Sequence, residues 1–258
     1  MAIAIGVFDG VHIGHRAILE TLTEDSRRTP GTKSMVISFS RNPKASSEGN
    51  LDTLRLRSEY IASFGIDFLA VIDFSTQFSK ISACGFADIL TSICMPRYAV
   101  VGSDFRFGNP SSQADGKELG HMLQERGFEC RVDIVQSILS DEGERISSTL
   151  LRRMIKEGRL DGYSRYAGQG YRVDLMPLPC RVCDDELVFS TESIHQLLPP
   201  LGAYDTVLLM RDGRTVGCRA EIEQEFLVVS SASASSAIGM LQSMGKDDAQ
   251  LDSLIFGV

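Results

Sequence analysis

Apolar positions along this chain fall into two textures. Up to about residue 160, short continuous apolar runs alternate with stretches in which apolar residues recur every three or four positions. The runs at 2–7, 34–39, 68–74, 98–101 and 130–135 read as strands buried on both faces. The stretches at 16–24, 54–64, 83–94 and 118–126 read as helices, with Gly65 and Gly127 as C-terminal caps of two of them. Strands separated by helices imply right-handed crossovers and a parallel sheet covered on both sides. A doubly wound α/β domain is therefore expected over residues 1–160. Beyond that point helical spacing gives way to β-like runs at 171–176, 186–189, 204–210, 216–221 and 226–229, with Asp212-Gly213 as a hairpin signal. This second texture predicts a small antiparallel β-barrel-like domain over 161–258.

Composition narrows the class. The chain has 258 residues, 43% hydrophobic and 23% charged, which suits one large or two small globular domains. A formal net charge of −8 argues against a broad nucleic-acid surface, so a phosphate ligand has to be held by local donors. No apolar run is long enough to span a membrane. The N-terminal run stops at Asp9 and lacks a charged leader, so no signal peptide is expected and a cytoplasmic location follows. In that compartment the six cysteines are expected as thiols. Cys180-x-x-Cys183 is the single close pair, and with no second pair and no nearby His it reads as structural.

Candidate chemistry starts where the first strand ends, in Gly6-Val-Phe-Asp-Gly-Val-His-Ile-Gly-His15. Gly6 and Gly10 flank Phe8-Asp9 in a turn where backbone must come close to something. Strand, glycine turn and helix is the layout that aims N–H groups and a positive helix end at a phosphate. His12 and His15 flank Gly14 and are half of the chain's four histidines. Placed there, two imidazoles can add donors to a phosphoryl group as its charge changes. A solvated helix start is the plain alternative, and a metal pair lacks a third ligand beyond Asp9.

Three later segments fall where strand ends belong in such a fold. Phe39-Ser-Arg-Asn-Pro-Lys44 follows the second strand. Val101-Gly-Ser-Asp-Phe-Arg-Phe-Gly108 follows the fourth, with aromatics able to stack on a planar ring or to enter the core, and with Arg106 able to meet a phosphate. Ile146-Ser-Ser-Thr-Leu-Leu-Arg-Arg-Met-Ile-Lys-Glu-Gly158 reads as a hydroxyl-capped helix with Leu150, Leu151, Met154 and Ile155 inward. Cations at Arg152 and Arg153, near the helix start, oppose the helix dipole unless an anion is bound, so this reads as a triphosphate site.

The motif Gly-x-Phe-Asp-Gly-x-His-x-Gly-His resembles the signature of the HxGH nucleotidyltransferases, and in this long form that of bacterial FAD synthetases. Those pair an FMN adenylyltransferase domain with a riboflavin kinase domain. The segment at 101–108 is similar to the family's Gly-x-Asp/Asn-Phe-x-Phe-Gly, and 146–152 to its Ile-Ser-Ser-Thr-x-Ile-Arg. The resemblance implies a Rossmann-like sheet and transfer of AMP from ATP to FMN, giving FAD and pyrophosphate with Mg2+ accompanying ATP. By the same resemblance His12, His15 and Arg152 are catalytic. Gly6, Phe8, Asp9, Gly10, Gly14, Ser147, Ser148 and Thr149 bind ATP, and Asn42, Asp104, Phe105, Arg106 and Phe107 bind FMN. The chain departs from the family at Asn42, where a His is usual, and at Leu150, where an Arg is common. Leu197-Leu-Pro-Pro-Leu-Gly-Ala-Tyr204 resembles a segment of the kinase barrel. The kinase's Pro-Thr-Ala-Asn segment has no counterpart; Met176-Pro-Leu-Pro-Cys180 stands there instead. A degenerate kinase domain without riboflavin kinase activity is expected. The other readings are a non-catalytic flavin- or nucleotide-binding protein and a different small-molecule HxGH adenylyltransferase.

Overall fold

In the computed structural model of the chain, residues 1–40, 49–183, 186–231 and 251–258 are described. Strands β1 (Ala2–Ile5), β2 (Ser34–Phe39), β3 (Phe68–Ile72), β4 (Tyr98–Gly102) and β5 (Arg131–Val135) form a parallel sheet in the order β3-β2-β1-β4-β5. Helices α1 (Ile13–Arg28), α2 (Leu54–Ser63), α3 (Ala83–Ile93) and α4 (Gly116–Glu125) lie between these strands in sequence. Because side chains alternate along a strand, β1 sends Ile3 and Ile5 into a core with Phe86, Leu90, Leu119 and Leu123 of α3 and α4. It sends Ala2 and Ala4 into a second core with Ile18, Leu19 and Leu22 of α1 and Ile61 of α2. Both faces are thus covered, and this is the doubly wound sheet the sequence predicts. Strand order reverses about β1, whose neighbours are β2 and β4, and the carboxyl ends of β1 and β4 lead into two of the candidate segments.

The second part of the chain contributes α5 (Ser148–Lys156), α6 (Leu160–Ala167) and an antiparallel sheet of β6 (Tyr171–Asp174), β7 (Cys180–Cys183), β8 (Glu186–Ser190), β9 (Gly202–Met210), β10 (Thr215–Ile222), β11 (Phe226–Ser231) and β12 (Leu251–Phe256). Its order is β6-β12-β9-β10-β11-β8-β7. This is the curled antiparallel sheet the sequence predicts, with three additions. Helix α6, which ends on left-handed Gly168, extends helical structure past 160. Strand β7 carries Cys180 and Cys183 three positions apart, which sends their side chains to opposite faces of the strand. Strand β12 is inserted between β6 and β9.

Two compact units result. One comprises Met1–Ala45 with Arg57–Ser147; the other comprises Ser46–Leu56 with Ser148–Val258. The second unit therefore contains a short piece of chain from far upstream. No helix among the described residues is long and apolar enough to cross a membrane.

Candidate active site

In the first unit, β1 ends at Ile5 and the chain turns sharply. Phe8 takes φ 55° although it is not glycine, and Gly10 takes φ 74°. A non-glycine residue in that region costs about 1–3 kcal/mol and persists only where its surroundings enforce it. They do so here. The Phe8 ring is fully buried. A Cβ on Gly6 would lie 3.1 Å from that ring, so Gly6 is required by close packing. The Val7 carbonyl accepts from Arg57 Nη1 at 2.8 Å and from Ser38 Oγ at 3.0 Å, and the Gly6 amide donates to the Ile37 carbonyl at 3.1 Å. Asp9 is buried in the same turn.

The turn delivers His12 as the N-cap of α1, its Nδ1 accepting from the His15 amide at 3.3 Å. That bond fixes the neutral tautomer of His12 and leaves the proton on Nε2. The two imidazoles stack with centroids 3.8 Å apart and planes 19° from parallel, and Phe8 lies 5.2 Å from the His15 ring. Gly14 allows this, since a Cβ there would sit 3.1 Å from the His12 ring. Burial, and after it the nearby Arg145 guanidinium, push the His12 imidazole down to about 4 against an opposing effect of Asp104. Burial holds His15 well below the usual imidazole range too, followed by the effect of charge on His12, Arg145 and Arg57. Both rings are neutral at pH 7. The Nδ1 of His15 is enclosed with no hydrogen-bond partner among the described residues. An unmet buried polar atom costs about 1–3 kcal/mol, a cost usually confined to sites of chemistry.

After β4 the chain runs through Asp104, which pairs with Arg145 at 2.6 Å. Asp104 is thus brought beside the histidines. Phe107 is buried, stacked on Phe105 at 5.4 Å and against Phe86 at 5.5 Å, so its ring serves the core. Phe105 is partly exposed above it. Arg106 points to solvent, donating to the Phe105 carbonyl at 2.7 Å. Gly108 has φ 85°, and a Cβ there would fall 2.7 Å from the Ala83 amide nitrogen, so this glycine lets the segment cross the start of α3. Asn42 lies outside the described residues.

In the second unit, α5 starts at Ser148 and buries Leu150, Leu151, Met154 and Ile155 as the sequence predicts. Ser147 and Ser148 are half-buried and Thr149 is exposed. Arg152 lies beyond the first turn and is only 8% exposed, with Nε donating to the Gly49 carbonyl at 3.3 Å. Its cation is therefore anchored to the protein's own backbone, which the dipole argument alone does not reveal. Arg153 is exposed and turns to Glu157, 4.0 Å away.

Sequence reasoning misses Arg145 and Arg57. Arg145 stands two positions before the hydroxyl run, where only proximity in sequence hints at a role; Arg57 sits in a helix that reads as ordinary amphipathic surface.

A family model describing FAD synthetase matches residues 1–150. Over 158 residues the chain is 35% identical to a Geobacillus thermodenitrificans protein, covering 60% of this chain and 83% of that one. It is 33% identical over 165 residues to the bifunctional riboflavin kinase/FMN adenylyltransferase of Escherichia coli, covering 61% and 51%. To the Listeria monocytogenes protein of the same name it is 29% identical over 213 residues, covering 78% and 65%. The match thus spans about half the length of the Escherichia coli protein. The crystal structure of a macrolide-efflux protein from Streptococcus pneumoniae superposes with a TM-score of 0.80 at 17% identity, over 99% of this chain and 84% of that one, which shows a shared fold.

Proposed function

The chain belongs to the FAD synthetase family, and from that premise we propose that it is an FMN adenylyltransferase, converting ATP and FMN to FAD and pyrophosphate. A phosphate oxygen of FMN attacks the α-phosphorus of ATP in line. The bond from that phosphorus to the bridging oxygen breaks, and pyrophosphate leaves with the electron pair. No covalent enzyme intermediate is involved. Mg2+ accompanying ATP would offset the charge on its phosphates, and no cluster of three or more His, Cys, Asp or Glu side chains stands ready to hold it among the described residues.

The observation that carries this reading is the stacked, neutral His12–His15 pair at the end of β1. A neutral imidazole donates without adding a full charge that would hold the ground-state triphosphate tightly. Its contribution grows as negative charge builds on the reacting phosphate, which favours the transition state. His12 Nε2–H and the His15 ring take that role. Arg145 supplies positive charge beside them, and Asp104 holds its guanidinium. Asp9 and the Gly6–Gly10 turn take the adenosine side. By their motif, Ser147, Ser148, Thr149 and Arg152 hold the β- and γ-phosphates, and Asn42 and Phe105 the flavin.

The second unit carries no kinase chemistry in this reading. Where a phosphate-binding loop is needed, Asp174 is committed to Thr53 and Arg55, and Leu175–Pro179 offers no side-chain hydroxyl or amide. Its role is structural. The enzyme works on soluble small molecules in the cytoplasm, without nucleic acid or membrane.

The test is incubation with ATP, Mg2+ and either FMN or riboflavin, with flavins separated by chromatography. FAD is expected from FMN, and no FMN from riboflavin. FMN converted no faster than in an enzyme-free control overturns the transferase reading; FMN formed from riboflavin overturns the second statement.

A further inference from the structure

The ladder between β1 and β2 stops at Ile5 opposite Ile37, with one further bond from the Gly6 amide to the Ile37 carbonyl. The Val7 carbonyl lies past that ladder, yet two side chains of the first unit meet it. Ser38 of β2, 1% exposed, donates from Oγ at 3.0 Å, and Arg57 of α2, 4% exposed, donates from Nη1 at 2.8 Å. One hydroxyl would satisfy a carbonyl oxygen. A buried guanidinium is a costly second donor, because a cation loses its hydration there. In return, a bond from a charged donor is about twice as strong as one between neutral groups. Two donors from different elements fix both the position and the direction of the carbonyl.

That direction controls the next residue. The Val7–Phe8 peptide is planar, so turning the Val7 carbonyl turns the Phe8 N–H with it, and the φ of Phe8 is set against that plane. Phe8 sits at φ 55°, which a residue with a side chain holds only under constraint. Its fully buried ring lies 5.2 Å from the His15 ring, which stacks on His12 at 3.8 Å. If the Val7 carbonyl swings, Phe8 relaxes toward negative φ and its ring leaves His15. After burial, His12 and Arg145, the Arg57 cation also helps to hold His15 below the usual imidazole range, in keeping with its place behind the ring.

We propose that Ser38 and Arg57 are positioning residues that clamp the Val7 carbonyl and, through the Phe8 turn, hold the His12–His15 stack in its working geometry. The catalytic consequence rests on the adenylyl-transfer reading; the clamp itself does not.

The test is a double-mutant cycle of Ser38→Ala and Arg57→Met on the full chain, read by kinetics and by proton NMR. Each single variant leaves one donor on the carbonyl. With ATP, FMN and Mg2+, kcat is expected to fall about threefold for Ser38→Ala and about tenfold for Arg57→Met, with the KM for ATP within about twofold. The double variant loses more than about 100-fold, beyond the roughly 30-fold product of the singles, because both act on one oxygen. In NMR the His12 and His15 ring protons move toward the shifts of unstacked imidazoles. The Overhauser contact between the Phe8 and His15 rings weakens in the singles and vanishes in the double variant. Residues that serve stability alone lower the melting temperature while kcat per folded molecule and the ring shifts hold. That result, or losses in kcat that simply multiply, overturns the proposal. If Arg57→Met does not fold, Ser38→Ala and Ser38→Thr decide: the alanine weakens the ring contact and kcat, and the threonine, which keeps the hydroxyl, recovers both. No change in the alanine variant, or no recovery in the threonine variant, counts equally against the clamp. A wild type that forms no FAD sinks the proposed reaction, while the NMR cycle still decides the clamp.

Discussion

The low proton affinity of His12 has a stability consequence that can be worked through. An unfolded histidine titrates near 6.5, while burial and then Arg145 push the folded His12 down to about 4. Between those values the unfolded chain takes up a proton that the folded chain refuses. Stability is therefore complete above about pH 6.5 and falls as the pH drops toward 4. For these two pKa values the loss from His12 is about 2 kcal/mol at pH 5 and approaches about 3 kcal/mol below pH 4. His15 acts in the same direction.

The control is His12→Asn. Asn is a strong N-cap whose side-chain oxygen can take over the bond from the His15 amide, and it does not titrate. Urea unfolding at pH 7.5 and pH 5 is expected to show the wild type losing about 2 kcal/mol more than the variant between the two conditions. Removing His12 also relieves His15 of one charge that opposes its protonation, which widens the difference. Proton NMR should find the His12 imidazole titrating near 4. The same pH loss in both proteins, or a His12 titration near 6.5, refutes the claim that the pair is buried and neutral. The kinetic counterpart is a kcat for FAD formation with no step near pH 6.5 from either ring.

Three further outcomes are expected. Gly14→Ala gains about 1 kcal/mol of helix propensity yet pushes a methyl against the His12 ring, so kcat falls at least about tenfold while the melting temperature holds or rises; parallel loss of both refutes the packing argument. His15→Ala lowers kcat by about 100-fold and changes the KM for ATP little, as steady-state rates will show; a KM effect alone contradicts a transition-state role. Arg152→Ala, by removing a buried donor to Gly49, destabilises the ligand-free protein by about 1–3 kcal/mol, and a calorimetric scan with an unchanged midpoint shows that bond to be dispensable.

The first unit is legible because its strands obey one rule. Runs such as Ala2–Ile5 and Tyr98–Gly102 are buried on both faces and read as continuous apolar stretches. Their order in the sheet, with β1 between β2 and β4, is not written in any single run; it follows from pairing across distances that periodicity does not report. The glycines of the first turn are legible for the same local reason. Gly6, Gly10 and Gly14 each answer a positive φ or a ring within contact distance, and both demands act over a few residues. Arg145 is illegible because its partners, Asp104 and the two imidazoles, come from other loops.

The second unit hides its organisation behind charge. Leu251-Asp-Ser-Leu-Ile-Phe256 does not alternate as a half-buried strand should, because Asp252 and Ser253 are buried along with Leu254. They can be buried because Arg55 and Arg172 reach them. Arg55 in turn looks like the exposed side of a helix, and only the fold brings it within 2.9 Å of a residue 197 positions away. A polar residue read alone is assigned to the surface, since an unpaired buried charge is prohibitive. Its pairing partner reverses that assignment and lies beyond the window in which sequence patterns act. The inner strand β12 and the segment at 49–55 are thus missed together and for one reason, since each supplies part of the partnership that makes the other's burial possible.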